Sequence, residues 1–200
     1  MMKRPIILGI TGSIGTGKST TSEMFRDEGV PVWDADAAVH RLYAKGGKAV
    51  PSIERLKPDA IIDGAVDRGV LSAWVQEDPH ALKQIETVVH PWLTADRAQF
   101  LQDTDADIIG FDIPLLFETG ADSLADAIVV VTIDLEEQRR RVLARPGMSP
   151  EKFEMILERQ IPDAIKREKA DFVIETISLE AARAAVKDVV RQLKGQLSDA

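Results

Sequence analysis

Short apolar runs occur at five places along the chain, and longer, more polar stretches separate them. The runs are Ile6 to Ile10, Val30 to Trp33, Ile108 to Asp112, Ala127 to Ile133 and Phe172 to Ile174. Runs of this length without strict alternation are typical of parallel strands that are covered on both faces. Helical spacing lies between and after them, most clearly at Leu179, Ala182, Val186, Val189, Leu193 and Leu197. Strands that alternate with helices predict an α/β domain with a parallel sheet.

Two connections between predicted strands are too long for simple crossovers. About seventy residues separate Asp36 from Asp107, and their mixed helical pattern predicts a helical insertion. Residues 135–170 form the second connection, a charged helical stretch that "RPGMSP" interrupts. We expect a single domain over residues 1–200. Its predicted parts are a core at about 1–45, 107–134 and 171–200, the insertion at about 46–106, and the charged region at about 135–170.

Composition and charge narrow the functional classes. The chain has 200 residues, 44% of them apolar, which suits one hydrophobic core. Its formal net charge of −8 argues against a general nucleic-acid binder, because affinity for a phosphate backbone depends on a basic surface. The absence of cysteine excludes disulfides and cysteine nucleophiles. The first ten residues contain Lys3 and Arg4 but only a short apolar run, so we expect neither signal peptide nor membrane span, and a cytoplasmic location.

The segment "ILGITGSIGTGKSTTSEMF", residues 7–25, contains the clearest chemical motif. Gly12, Gly17, Lys18 and Ser19 match the phosphate-binding pattern G-x-x-x-x-G-K-[ST]. Glycines let backbone N–H groups turn toward phosphate oxygens, and the lysine adds a mobile positive charge. The serine hydroxyl suits Mg²⁺, and the following helix directs its positive end at the anion. The motif predicts a nucleoside triphosphate site, the alternative being a structural glycine turn.

Carboxylates at predicted strand ends are candidates for the reaction itself. The sequence lacks the guanine-reading N-K-x-D motif of switch GTPases, whereas a small-molecule kinase needs an acceptor-side carboxylate and mobile arginines. Asp34 and Asp36 end the second predicted strand, where Asp36 could accept a proton from an acceptor hydroxyl. The alternative is that one of the two caps the next helix.

A second carboxylate candidate ends the third predicted strand. In "IIGFDIPLLFE", Asp112 is placed to organise Mg²⁺, directly or through water, and Glu118 lies six residues further on. A capping or turn role for Asp112 is the alternative.

Cations concentrate in "EEQRRRVLARPG". Arg141 and Arg145 share a helix face at i, i+4, and arginine can direct two donors at one phosphate. The alternative is a solvated helix face on which Glu136 and Glu137 pair with the arginines. His40, one helical turn after Asp36, and His90, before Pro91, are open between structural and substrate-binding roles.

Together these segments resemble the dephospho-coenzyme A kinases over nearly the whole chain. The similar segments are "TGSIGTGKST", "DADAAVH", "HPW", "DIPLLFE", "QRRRVLAR", "RQIP" and "ADFVI". The resemblance implies a three-layer P-loop kinase core of nucleoside-monophosphate-kinase type with a five-stranded parallel sheet, a helical lid and a helical coenzyme A subdomain. It also implies the reaction, in which ATP phosphorylates the ribose 3′-hydroxyl of dephospho-coenzyme A, the last step of coenzyme A synthesis.

The resemblance implies roles for individual residues as well. Asp36 matches the family's proposed catalytic carboxylate, Gly15 to Thr20 match its ATP-phosphate loop, and Arg141 and Arg145 match the arginines at its lid. From the motifs above, Lys18 would act on the phosphates, and Ser19 and Asp112 would serve Mg²⁺. The acceptor side would be lined by His40, His90, Asp112, Leu115 and Glu118 in addition to Asp36, and the ATP loop by Gly12, Gly15, Thr16, Gly17, Lys18, Ser19 and Thr20. The sequence departs from the family pattern at one place, after the last strand and near the adenine base of ATP. There Glu175 and Thr176 replace the Asn and the small residue that family members often carry.

Two alternatives to this function stay open at the level of sequence. Another small-molecule P-loop kinase, of shikimate or nucleoside monophosphate type, would share the loop and the lid. A nucleotide-dependent switch would bind ATP without transferring phosphate. We expect ATP and dephospho-coenzyme A as partners, and a monomer.

Overall fold

The computed structural model of the chain describes residues 4–198. Part of the N-terminal stretch considered above, including Lys3, lies outside these residues. The strands are β1 (Ile6–Thr11), β2 (Val32–Asp34), β3 (Ile61–Ile62), β4 (Ala65–Val66), β5 (Ile108–Asp112), β6 (Ala127–Thr132) and β7 (Phe172–Glu175). The helices are α1 (Lys18–Asp27), α2 (Ala35–Tyr43), α3 (Val50–Leu56), α4 (Arg68–Glu77), α5 (Ala81–Asp103), α6 (Leu135–Leu143), α7 (Pro150–Glu158), α8 (Asp163–Glu168) and α9 (Leu179–Ser198).

Five strands form the central sheet in the order β2-β5-β1-β6-β7. β1 pairs in parallel with β5 and β6, and β6 pairs in parallel with β7. The prediction of an α/β fold with a five-stranded parallel sheet is confirmed. All five predicted runs are strands, with bounds that differ from prediction by at most two residues at either end. Strands of a parallel sheet are typically covered by helices on both faces, so their sequences are apolar almost throughout.

Helices α1 and α9 pack together over one layer of the core. Leu8 and Ile10 of β1 and Val129 and Val131 of β6 are buried in this layer, and α1 contributes Met24 and Phe25. From the predicted face of α9, Ala182, Val186, Val189 and Leu193 are buried and Leu197 is partly buried. Leu179 does not belong to that face, since it begins the helix and is 68% exposed.

The chain divides into two compact units. One runs to Trp33 and resumes at Ala106, and the other is Asp34–Asp105. The second unit contains α2 to α5 and the antiparallel hairpin β3–β4. It has its own apolar core, formed by Val50, Ile53, Ala60, Val66, Leu71, Ile85 and Val89. The sequence assigns residues up to about 45, and therefore α2, to the core, and this functional boundary stays a prediction.

Residues 135–170 are helical, as predicted, and the interruption falls between α6 and α7. Asp134 accepts hydrogen bonds from the first-turn N–H groups of α6, and Ser149 caps α7 ahead of Pro150. Val142 and Phe153 are buried in this region. Among residues 4–198, no helix combines the length and the apolar character that a membrane crossing requires.

Candidate active site

The glycine-rich loop, residues 12–17, joins β1 to α1. A Cβ atom at Gly12 would collide with the carbonyl oxygen of Val131 on β6. Gly15 has a φ of +80°, which L side chains rarely adopt, and a Cβ there would also collide with Val142 of α6. The order of strand, tight loop and helix is the context in which this motif binds phosphate. At these two positions the geometry requires glycine.

Hydrogen bonds from buried hydroxyls hold the loop in shape. The Thr16 hydroxyl donates to the carbonyl oxygen of Ser13 at 2.9 Å, and the Thr176 hydroxyl donates to the carbonyl oxygen of Thr16 at 2.6 Å. All three side chains are buried. The protein therefore fixes the direction of the loop's backbone N–H groups, as electrostatic recognition of a phosphate requires.

Helix α1 begins next to this loop with Gly17 as its N-cap. Glycine has no side chain to cap the helix, and the first turn contains no acidic residue. Free N–H groups and the positive end of the helix dipole make this terminus suitable for an anion. Ser19 and Thr20 are exposed in the same turn.

Asp112, the last residue of β5, holds the loop lysine. Its carboxylate pairs with Nζ of Lys18 and accepts a hydrogen bond from the Ser22 hydroxyl at 2.7 Å. The Asp112 side chain is 2% exposed and that of Lys18 is 15% exposed. A carboxylate buried this deeply needs such partners, because desolvation disfavours an isolated charge. Asp112 therefore joins β5 to α1, and within residues 4–198 its side chain caps no helix.

A cavity of about 240 Å³ lies beside the first turn of α1. Its lining includes Thr20 and Met24 from α1, Arg141 from α6, and Thr176 and Ser178 from the segment after β7. Apolar surface together with a few directed polar groups is typical of a site for a small organic ligand.

Arg141 is tied into the wall of this cavity. Its guanidinium donates to the hydroxyl of Thr176 at 3.0 Å, to the carbonyl oxygen of Thr176 at 2.9 Å and to Glu137 at 2.7 Å. Hydrogen bonds from Arg140 and Arg141 lower the pKa of Glu137 to about 2, so this carboxylate is ionised at neutral pH. Since Thr176 also donates to Thr16, one hydroxyl connects the cavity wall to the phosphate loop.

Arg139, Arg140 and Arg145 differ in whether their side chains have partners in the protein. Arg140 pairs with Glu137 at 2.6 Å, as in the solvated-face arrangement that the sequence left open. Arg139 pairs instead with Glu154 of α7 at 3.3 Å. Arg145 is exposed, and its guanidinium has no ion-pair or hydrogen-bond partner among the described residues.

Glu118 ends the segment after β5 and contacts residues of the 135–170 region. It accepts a hydrogen bond from the N–H of Ile161 at 2.9 Å, and its Oε1 lies 2.8 Å from Nζ of Lys166, which is fully buried. Burial raises the pKa of Glu118, but the hydrogen bonds from Lys166 and Ile161 outweigh it and the net pKa is lowered. Glu118 therefore functions as an ionised anchor. Leu115, in the same segment, is 40% exposed.

The predicted residues of the second unit lie on α2 and α5. Asp34 caps α2 by accepting a hydrogen bond from the N–H of Ala37 at 2.9 Å. Asp36 is exposed in the first turn and is not the capping residue, and His40 is exposed in the last turn. On α5 His90 is exposed.

The residues that follow His90 line a shallow cavity of about 380 Å³ within the second unit. Pro91 and Trp92 form part of its wall, and the indole N–H of Trp92 donates to the Ser52 hydroxyl at 3.3 Å.

The structure thus brings together, around the phosphate loop, the predicted residues Gly12 to Thr20, Asp112 and Arg141. Sequence reasoning assigned no role to Ser22, Gln138 or Gln160, although each contacts this cluster. The position of Ser22 could have been noticed in the sequence, since it follows Lys18 by four residues and therefore lies on the same face of the helix. No group of three or more His, Cys, Asp or Glu side chains in residues 4–198 is arranged to hold a metal ion.

Comparisons with known proteins agree with this geometry. The family model for dephospho-CoA kinase matches residues 6–180. A dephospho-CoA kinase of Ruegeria pomeroyi is 54% identical over 187 residues, covering 94% of this chain and 95% of the relative. One of Jannaschia sp. is 56% identical over 187 residues, covering 93% and 96%. A crystal structure from Thermus thermophilus is 36% identical with a TM-score of 0.86, covering 95% of this chain and 98% of its own. The chain belongs to the dephospho-CoA kinase family.

Proposed function

We propose that the chain transfers the γ-phosphoryl group of ATP to the ribose 3′-hydroxyl of dephospho-CoA, giving CoA and ADP in the final step of CoA biosynthesis. The observation that carries this proposal is the family match over residues 6–180, which includes a fully formed phosphate loop. ATP and dephospho-CoA are the substrates that this family membership implies.

The triphosphate of ATP would lie in the loop, with Lys18 directed at its outer phosphates. The N–H groups of residues 12–20 would supply the cradle, since hydrogen bonds already hold this backbone in shape. The base would occupy the 240 Å³ cavity, beside Thr176 and Arg141. The departure at Glu175 and Thr176 is compatible with this placement, because Glu175 pairs with Arg167 and lines a different cavity.

Mg²⁺ fits the oxygen donors of the loop. The exposed hydroxyl of Ser19 would contact the ion directly, and Asp112 would act through water, since Lys18 and Ser22 already engage its carboxylate. Mg²⁺ keeps several waters and binds few protein groups when phosphates supply the remaining oxygens. When bound, it would neutralise charge on the β- and γ-phosphates.

Asp36 would orient or deprotonate the acceptor hydroxyl. Its place in the first turn of α2, directly after the end of β2, supports this proposal, and the cap of that helix is Asp34. We assign His40, His90 and Leu115 to substrate contact, and Glu118 to anchoring the segment that contains Leu115. The insertion at about 46–106 would be the substrate subdomain.

Residues 135–170 would form the lid. Of Arg141 and Arg145, the two arginines that match the family's lid, Arg145 is the better candidate for contact with the transferred phosphate, because no described residue engages its guanidinium. Arg141, with three hydrogen bonds to protein groups, would instead position Thr176 and contact ATP from the cavity wall. Closure of the lid would exclude water, which competes as an acceptor.

The direct test is mass-spectrometric detection of CoA after the protein is mixed with ATP, Mg²⁺ and dephospho-CoA. We expect one ADP for each CoA formed. Preferential phosphorylation of shikimate or a nucleoside monophosphate would favour the other small-molecule kinases, and slow ADP release independent of an acceptor would favour the switch. We also propose that the protein is a cytoplasmic monomer. A mass of about 22.0 kDa in light scattering would agree.

A further inference from the structure

Two glutamines hold the backbone of one residue in the phosphate loop. Nε2 of Gln138 donates to the carbonyl oxygen of Ile14 at 2.7 Å. The N–H of Ile14 donates to Oε1 of Gln160 at 3.2 Å. Both backbone groups of Ile14 are thus satisfied by side chains from outside the loop, so the orientation of its peptide groups depends on these two amides.

The two glutamines come from opposite ends of the 135–170 region. Gln138 lies on α6 and is 4% exposed, whereas Gln160 follows α7 on the segment that returns toward the core. Both line a cavity of about 660 Å³, together with Ser13 of the loop. The cavity interrupts close packing between the returning segment and the loop. On the wall of this cavity, Gln160 connects the returning segment to the loop through its hydrogen bond with Ile14.

Ile161, the residue after Gln160, connects the same segment to Glu118, which lies after β5. The N–H of Ile161 donates to Glu118 at 2.9 Å, and Glu118 in turn pairs with the fully buried Lys166. Adjacent residues, Gln160 and Ile161, therefore bind two different segments. One is the loop that holds ATP in the proposed function, and the other follows Asp112 at the end of β5.

We propose that Gln160 is a positioning residue, which couples the returning segment of the lid to the phosphate loop through the N–H of Ile14. The inference rests on the proposed kinase activity. Gly15, the next residue, has a φ of +80°, so a change in the Ile14 peptide would redirect N–H groups that face the phosphates. Gln160 touches no reacting atom, and its effect on turnover passes through Ile14.

The direction of the hydrogen bond provides a sharp test. Gln160 acts as an acceptor, so Gln160→Glu keeps the interaction and Gln160→Ala removes it. For Gln160→Ala we expect kcat to fall about tenfold and KM for ATP to rise about fivefold, because the partly buried N–H of Ile14 loses its protein acceptor. Gln160→Glu should keep kcat within about threefold of the native value at saturating ATP. Gln192→Ala, on the exposed face of α9, serves as the control and should retain native constants.

Gln138 allows the opposite test, because its side chain donates its hydrogen bond whereas that of Gln160 accepts one. It donates to the carbonyl oxygen of Ile14, so Gln138→Glu places a carboxylate against that oxygen and should lower kcat about tenfold or more. Both Glu variants add one negative charge beside Ile14, and their difference isolates the direction of the hydrogen bond. Thermal unfolding of every variant, followed by circular dichroism, identifies any that fail to fold.

Native kinetic constants for Gln160→Ala, or an equal loss in Gln160→Glu and Gln160→Ala, would overturn the proposal. So would a loss of thermal stability without any change in kcat or KM. Titration with a fluorescent ATP analogue separates this proposal from the proposed function, because weaker nucleotide binding by Gln160→Ala is measurable without turnover. If the native protein forms no CoA, the proposed function fails, and the titration still decides the role of Gln160.

Discussion

The two units of the molecule differ in whether they bury polar side chains. The first unit, with the phosphate loop, contains all ten buried polar or charged residues that the structure describes, Asp112 and Lys166 among them. The second unit, Asp34–Asp105, has a wholly apolar core, and its candidate residues Asp36, His40 and His90 are exposed. Binding a triphosphate is favoured by donors that are fixed in advance, and the buried hydroxyls of Thr16 and Thr176 fix the phosphate loop in this way. In the proposed function, acceptor recognition on the second unit would depend on surface side chains.

The largest effect is expected from Asp36 in the second unit. Asp36→Asn should lower kcat by about 10²- to 10⁴-fold, because it removes the carboxylate that we propose to orient or deprotonate the acceptor hydroxyl. KM for ATP should stay near its native value, since Asp36 is exposed on the second unit and the phosphate loop belongs to the first. Steady-state assays of CoA formation provide the measurement.

Asp34 is the matched control for Asp36. Asp34→Ala should lower the free energy of unfolding by about 1 kcal/mol through loss of the α2 cap, with a much smaller change in kcat. If Asp36→Asn lowered stability but not turnover, exposed residues of the second unit would have no part in the chemistry.

Lys18 tests the first unit. Lys18→Ala should lower kcat/KM by about 10²- to 10³-fold, because a cation directed at the outer phosphates is lost. It also leaves the buried Asp112 without its ion pair, so stability should fall as well. Adding Asp112→Asn should restore stability but not activity. Recovery of activity in the double variant would contradict the role given to Lys18.

Glu118 tests the buried network without touching ATP. Glu118→Gln leaves Lys166 buried and unpaired, so we expect the free energy of unfolding to fall by about 3 kcal/mol. Glu23→Gln, which breaks an exposed pair with Arg26, should change it by less than about 1 kcal/mol. Equal losses in the free energy of unfolding for the two variants would contradict the expectation that the buried ion pair contributes more to stability than the exposed one. Urea unfolding provides both values.

The same carboxylate predicts a pH dependence. Its pKa in the folded state lies below the ordinary value of 4.5, so the ionised form stabilises the fold at pH values above that number. The contribution is lost as the pH falls through the folded-state pKa. Glu118→Gln should therefore flatten the fall in stability below pH 4.5, and an unchanged slope in unfolding experiments between neutral and acid pH would contradict this assignment.

The smallest effect is expected from the lid arginines. Arg145→Ala should lower kcat about tenfold at saturating substrates with an unchanged melting temperature, because its guanidinium supports no described contact. Arg139→Ala, which breaks the exposed pair with Glu154, should leave kcat unchanged. A reversed outcome would assign the phosphate contact to Arg139.

Much of the fold could be predicted because its information is local. Ile6 to Ile10 and Ile108 to Asp112 are short apolar runs, of the length that is typical of a strand covered on both faces, and both are strands. The β3–β4 hairpin was missed, although Asp63 and Gly64, both with positive φ, form the Asp-Gly turn typical of two-residue hairpins. Two residues in each strand are too few for an alternating pattern to be seen.

The sequence by itself determined that a phosphate loop lies between a buried strand and a helix, because spacing and residue type are enough for that motif. Only the tertiary structure decided that Asp34 caps α2 and Asp36 does not, that Arg141 is engaged while Arg145 is not, and that Gln138 and Gln160 hold Ile14. Ile14 and Gln160 are far apart along the chain, so no local pattern records their contact. Hydrogen-bond partners at such separations exist only once the sheet has brought its loops together.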